Sequence, residues 1–369
     1  MPAWIYVVSG LLILTMMVYL YILLHPVFGG RPSQSSREHI HRSKNRAAGR
    51  FVNQLETSVS SSLSANLSIL YDMIAGGPGR RPRHPLNVVS YSPAAQPASE
   101  PRVTWFGHSA LLLELDGKRI FLDPMLGRSP SPTSIAGGKR YSNKLPCEAE
   151  DFPELDAVIL SHDHYDHLDY ATILKLRNKV RRFFVPLGVS AHLERWGISP
   201  ERIEELDWWE ETDFEGIRLA CTPARHFSGR SLTRNTTLWC SWVLHGQQAR
   251  IFYSGDSGYG PHFAEIGTEY GPFDLTLMEC GQYDQRWASI HMMPEETVQA
   301  HLDVRGAVMM PIHWAAFTLA LHPWTEPVER ARSEAARREV KIITPRIGET
   351  VRVGGQQEHI GTAWWREAE

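Results

Sequence analysis

Seven consecutive residues concentrate the chemistry of this chain: Ser161-His162-Asp163-His164-Tyr165-Asp166-His167, which contains the pattern HxHxDH. Imidazole nitrogens and carboxylate oxygens are the ligands that a borderline cation such as Zn²⁺ prefers, and a tight turn can aim four of them at one small volume. His162 and His164, two apart, project together toward one ion, while Asp166 and His167, on the next bend, reach a second. The opposing reading is a solvated histidine-rich loop. Three polar residues further on weigh against it, each following an apolar or small-residue run. Leu219-Ala220-Cys221-Thr222-Pro223 leads to His226, Ile251-Phe252-Tyr253-Ser254-Gly255 to Asp256, and Val308-Met309-Met310-Pro311-Ile312 to His313. Any one of these alone would more often be a hydrogen-bonded polar group than a ligand; with the HxHxDH loop they form an ordered set.

Such a set needs strands to aim it. After Arg102 the sequence turns to short β runs punctuated by turns: Val103 to Phe106, Ala110 to Leu115 and Lys118 to Leu122, the last two joined by the hairpin signal Asp116-Gly117. Ala157 to Leu160 and Ile251 to Tyr253 read as buried strands ending in polar clusters, and helical periodicity falls around Tyr170 to Leu176, Glu295 to Leu302 and Glu326 to Val340. Strands mixed with helices predict α/β layers, with chemistry at strand ends.

The first hundred residues differ in kind. Ile5 to Leu24 carry no charge and would span about 30 Å as a helix, the thickness of a bilayer core. Trp4 and Tyr6 at one end, with Tyr19 and Tyr21 at the other, suit interfacial belts. The run is long for a signal peptide, and no basic residue precedes it. Residues 1–25 are therefore expected to anchor the chain in a membrane. Arg31, Arg37, Arg42, Lys44, Arg46 and Arg50 against Glu38 place the body on the cytoplasmic side. Residues 26–101 read as a Ser/Pro-rich linker, interrupted by Leu55, Val59, Leu63, Leu67, Leu70 and Ile74 at helical spacing. That helix either lies on the membrane surface or packs on the domain formed by residues 102–369.

The net charge is −3, but the first 101 residues hold nine basic and four acidic side chains, leaving the remainder at −8. An acidic body argues against nucleic acid as a partner, because phosphate neutralisation demands clustered Lys and Arg. Four widely spaced cysteines, Cys147, Cys221, Cys240 and Cys280, contain no CxxC pair and predict buried, reduced thiols.

The ordered set HxHxDH, His, Asp, His resembles the metallo-β-lactamase superfamily. That resemblance implies an α/β αββα sandwich with a two-metal site at one edge: His162, His164 and His226 on a first Zn²⁺, Asp166, His167 and His313 on a second, Asp256 bridging both. Longer stretches are similar to the N-acylphosphatidylethanolamine-hydrolysing phospholipase D family: Gly107-His108, Phe121-Leu122-Asp123-Pro124, Val185-Pro186-Leu187-Gly188, Glu205 to Glu210, Gly255 to Tyr259, Gly271-Pro272-Phe273-Asp274, Pro294-Glu295-Glu296 and Ile312-His313-Trp314. The likeness runs roughly from Val103 to Pro327; the apolar N-terminal segment and its linker stand outside that family's catalytic pattern. It implies hydrolysis of a phosphodiester to phosphatidic acid and an N-acylethanolamine. Two Zn²⁺ about 3.5 to 4 Å apart would suit this, by activating a water and offsetting phosphoryl charge. A phospholipid and the membrane are then the expected partners, with a homodimer left open.

His291 sits where the family places a further active-site histidine; it is either a general acid toward the leaving alkoxide or a cap for the helix starting near Pro294. His108 reads either as support for a ligand or as a turn hydrogen bond, and Asp123 as the residue fixing a loop beneath the metals. Trp208, Trp209, Trp239 and Trp242 line an acyl channel or fill the core. Two other functions remain at this stage: a lactonase or ester hydrolase of the same fold, and a membrane-tethered scaffold with a degenerate site.

Overall fold

Alternation of side chains along the strands sets the layers. In the strand Leu111–Leu115, Leu111, Leu113 and Leu115 face one core while Leu112 faces another; in Arg250–Tyr253, Ile251 and Tyr253 face the first core and Phe252 a third. Strands apolar on both faces must be covered on both sides, so two sheets stack with helices outside them. The computed structural model, which describes residues 2–57, 63–133, 137–354 and 362–368, has this αββα arrangement.

The first seven-stranded sheet runs Thr350–Arg352, Arg102–Trp105, Leu111–Leu115, Lys118–Leu122, Leu155–Ile159, Val180–Pro186, Ile203–Leu206. The second runs Lys341–Ile342, Val308–Ile312, Leu275–Glu279, Arg250–Tyr253, Ser241–His245, Ile217–Thr222, Glu211–Phe214. In each sheet the strands nearest the site pair in parallel: Ile120 with Ala157 and Ala157 with Arg182 in the first, Ile251 with Leu275 and Leu277 with Met310 in the second. Parallel strands bring their carboxyl ends to one edge, where the loops that follow them can meet.

Between the sheets lies the main core, including Trp105, Trp239, Trp242 and Trp314, each at most 1% exposed. Helices Tyr170–Leu176 and Ser190–Arg195 cover the outside of the first sheet; His262–Tyr270, Pro294–Asp303 and Glu326–Arg337 cover the second. Tyr170–Leu176 spans the residues its periodicity predicts, started by the Asp169 side chain accepting from Thr172 N at 2.9 Å. All four cysteines are buried free thiols.

The N-terminal segment forms the helix Ala3–Leu24, with mean hydropathy 2.4 and no buried residue. It is long and apolar enough to cross a membrane, as a signal sequence near an N-terminus also is. Between residues 26 and 101, Ile40, Phe51 and Leu86 enter the main core, so this stretch packs on the body. The apolar periodicity yields the helix Leu63–Ala75, but Leu55 lies outside it and Val59 lies outside the described residues. Leu67, Leu70 and Ile74 point outward, and the side turned to the body carries Ile69 and Met73 instead.

Candidate metal centre

Every residue of the ordered set stands just beyond a strand. Loops from the first sheet deliver Asp123, after Lys118–Leu122, and the HxHxDH turn, after Leu155–Ile159. From the second sheet come His226, Asp256 and His313, after Ile217–Thr222, Arg250–Tyr253 and Val308–Ile312. Gly255, at φ +55°, lets these halves close: a Cβ there would lie 2.6 Å from Cys240 O and 2.9 Å from Ser161 Cβ.

The side chains meet in two clusters. His162, His164 and His226 form one, with His162 Nε2 2.9 Å and His226 Nε2 3.2 Å from His164 Nδ1. Tetrahedral ligands 2.0–2.1 Å from an ion stand about 3.3 Å apart, so these spacings fit one shared cation. The other cluster is Asp166, His167 and His313, joined by His108. Asp256 lies between them: Oδ1 is 3.1 Å from both His167 Nε2 and His313 Nδ1, and Oδ2 is 3.9 Å from His162 Nε2 and 3.8 Å from His226 Nε2. His167 Nε2 and Asp256 Oδ1 are buried without a hydrogen-bond partner. Orphans of opposite character facing one volume are what ligands awaiting a cation present, since buried polar atoms otherwise find partners.

Behind the clusters a second layer fixes the rings. Asp123 accepts from Ser161 N at 2.8 Å, from His167 Nδ1 at 2.6 Å and from Tyr253 Oη at 2.5 Å; Ser161 Oγ adds a fourth contact. His226 Nδ1 meets Ile290 O at 2.9 Å, directing its Nε2 to the centre. His108 Nε2 is 2.9 Å from Asp166 Oδ2, so both readings of this residue merge: it sits in a tight turn and it holds a candidate ligand. Asp123, His108 and His313 all have positive φ, at 38°, 54° and 66°. Such conformations cost about 1–3 kcal/mol each and persist where surrounding bonds over-determine them. Here the reciprocal backbone bonds between His108 N and Trp314 O and between His313 N and His108 O, each 3.0 Å, do so.

Burial pushes His162, His226 and His313 well below the usual imidazole range and His108 and His164 to about 4. His167 goes the other way. Burial alone would lower it, but Asp256, Asp166 and Asp123 around it raise it well above the usual value. Asp256 is pushed up to about 6 by burial.

His164, Asp166, His226, Asp256 and His313 form the floor of a cavity of about 550 Å³, whose walls include Ile69, Met73, Phe227, Leu319, Arg234 and Arg286. His291 lines it too, its Nδ1 2.9 Å from Glu279 Oε2. The capping reading of His291 fails: Met293 precedes the helix Pro294–Asp303, and its N–H donates to Glu296 Oε2 at 2.9 Å. The acyl-channel reading of the tryptophans fails as well. Trp208, Trp239 and Trp242 are core residues, Trp209 stacks on Tyr270 at the surface, and none lines this cavity. Glu279 escaped sequence reasoning although it ends the strand Leu275–Glu279 in the same apolar-then-polar pattern as Asp256.

A family profile described as a beta-lactamase superfamily domain matches residues 118–314, more than half of the chain. The chain belongs to this superfamily. An uncharacterized protein of Mycobacterium tuberculosis is 42% identical over 347 residues, covering 92% of each chain. N-acyl-phosphatidylethanolamine-hydrolyzing phospholipase D 1 of Caenorhabditis elegans is 34% identical over 264 residues, 67% of this chain and 74% of the nematode protein. The solved structure of Igni18, a metallo hydrolase from Ignicoccus hospitalis, shares the fold, with TM-score 0.52 and 22% identity over 68% of this chain and 97% of that one. This superfamily member is a metal-dependent hydrolase with candidate His and Asp groups for its metal.

Proposed function

We propose that the chain is a membrane-anchored phosphodiesterase of phospholipase D type, cleaving N-acylphosphatidylethanolamine to phosphatidic acid and an N-acylethanolamine. The observation that carries this reading is one cavity whose polar floor draws on both clusters and whose walls carry Ile69, Met73, Phe227 and Leu319 beside Arg234 and Arg286, together with the nematode relative of that named activity. His162, His164 and His226 would hold one Zn²⁺, Asp166, His167 and His313 the other, with Asp256 touching both. When bound, these ions supply Lewis acidity, making a water nucleophilic near neutral pH and offsetting charge on phosphoryl oxygens.

The chain's own residues do the rest. Ile69, Met73, Phe227 and Leu319 receive the acyl and glyceride parts of the lipid, bringing its phosphate down to the polar floor. Asp166 is fixed by His108, and Asp256 by the rings on either side of it. His291 is the residue we assign to the leaving alkoxide. Glu279 engages its Nδ1, so Nε2 is the nitrogen that serves a reacting atom. Burial raises Glu279 well above the carboxylate range and lowers His291, which favours a neutral pair with one proton to pass outward. Residues 1–25 are assigned the membrane span, with the body on the cytoplasmic side and phospholipid as the partner.

The test is a substrate panel on purified full-length protein in detergent. N-acylphosphatidylethanolamine should yield phosphatidic acid and N-acylethanolamine, with phosphatidylcholine and lactones turned over far more slowly. Preferred lactone or acyl-ester hydrolysis would overturn the reading. His291→Ala should lose roughly 10²- to 10⁴-fold in kcat on the natural substrate but little on an analogue with a nitrophenolate leaving group, which needs no proton.

A further inference from the structure

Immediately after the apolar helix, Pro26–Gly30 lies in a slot on the body that is built for it. Trp196 Nε1 donates to Pro26 O at 2.7 Å, Arg230 Nε to Val27 O at 3.0 Å and Arg195 Nη1 to Gly29 O at 2.8 Å. Gly30 N donates to His192 Nδ1 at 3.0 Å. The approach is too close for side chains. A Cβ on Gly29 would lie 2.0 Å from His192 Nδ1, and one on Gly30 would lie 1.9 Å from Ala191 O.

Two of these partners reach on into the HxHxDH turn. Because His192 Nδ1 accepts from Gly30, its Nε2 carries the hydrogen, and that nitrogen is 3.2 Å from Asp163 Oδ2. Arg230, 4% exposed, donates through Nη1 to Asp163 O and Leu168 O, both at 2.7 Å, while its guanidinium lies 4.2 Å from the Tyr165 ring centroid. Asp163 is the residue between His162 and His164. Its remaining bonds, from Gly229 N at 2.7 Å and Thr237 Oγ1 at 2.9 Å, leave its carboxylate wholly committed to holding the turn.

We propose that Pro26–Gly30 is a clasp which, through His192 and Arg230, positions Asp163 and with it the turn carrying His162 and His164. The N-terminal helix is thus tied to the turn by hydrogen bonds, those through Arg230 fully buried, and the clasp is part of the site although it touches no substrate. The proposal rests on reading His162 and His164 as ligands only for its metal-affinity consequence.

Amide hydrogen exchange on the full-length, metal-free protein in detergent tests it. Gly30→Ala, which drives the clasp from its slot, should speed exchange over residues 162–168 by about tenfold or more while Leu111–Leu115 in the first sheet is unchanged. His192→Phe removes both hydrogen bonds without a backbone clash and should give the same pattern, with residues 26–31 also faster. Gly10→Ala in the apolar helix, where nothing lies within 4 Å, should change nothing. Unchanged exchange at 162–168 in both folded variants, or a rise spread equally over Leu111–Leu115, overturns the clasp. In a parallel arm, competition with a chelator should give Zn²⁺ affinity weaker by about 10- to 100-fold in either variant. Wild type that binds no Zn²⁺ would refute the ligand reading while the exchange result still decides the clasp.

Discussion

The two ligand clusters solve the same problem by different chemistry. His162, His164 and His226 are three imidazoles steered by neutral partners, such as Ser161 Oγ at 2.9 Å from His162 Nδ1 and Ile290 O beside His226. Asp166, His167 and His313 sit among carboxylates, with Asp123 behind and Asp256 in front of His167. Burial outweighs the nearby carboxylates in the first group and holds its imidazoles below their usual range. Three carboxylates outweigh burial at His167 and raise it, so a metal binding there would have a proton to displace. Two candidate clusters a few ångströms apart can thus differ in their readiness for a cation through the carboxylates around them.

Asp256→Asn should break the comparison outright, since it removes the carboxylate that lies between the clusters. Elemental analysis should find fewer than two zinc ions per chain, and turnover should fall by about 10³-fold, roughly 4 kcal/mol of transition-state stabilisation. Full occupancy with full activity would contradict the shared role.

Asp123→Asn sharpens the contrast, because its bonds run to His167 and Ser161 rather than to His226. One ion should become about 10- to 100-fold easier to remove by chelator, the other staying put, a biphasic release that wild type lacks. Equal weakening of both would show that the second layer is common property.

Acid separates the clusters in metal-stripped protein. His226, lowered in the fold from an unfolded value near 6.5, stabilises fully above that pH and costs stability as pH falls, by up to about 1.4 kcal/mol per pH unit for one proton. His167, raised in the fold, has the opposite sign: its contribution is full below about pH 6.5 and is lost as pH rises through its folded value. Urea unfolding in chelator should therefore find His226→Gln less sensitive to acid than wild type and His167→Gln less sensitive to alkali. Parallel pH profiles for the two variants would refute this division.

Much of this was legible in the residues. The strand-then-ligand runs before His226, Asp256 and His313 announced themselves because strands packed on both faces are largely apolar toward their ends, so a polar residue just beyond stands out. Asp123 and His108 were readable from their neighbours. Glu279 was hidden because it is the last residue of its strand and Cys280-Gly281 follow, with no second polar residue to mark it. The clasp was invisible for a deeper reason: its contacts run from backbone groups of residues 26–30 to side chains some 160 to 200 positions away, and backbone carbonyls carry no sequence signature. The tryptophans misled because a large ring satisfies a core and a lipid channel equally well by composition.

The seam between the sheets also orders events during synthesis. The first sheet, apart from its Thr350–Arg352 edge strand, and the whole HxHxDH turn leave the ribosome before His226, Asp256 or His313 exist. A nascent chain ending near Leu206 owns four of the seven candidate ligand positions and none of the facing half, so it can present histidines but cannot enclose them. Hydrolytic competence is deferred until the Val308–Ile312 strand has joined the second sheet, and a working centre comes into being only in a finished molecule.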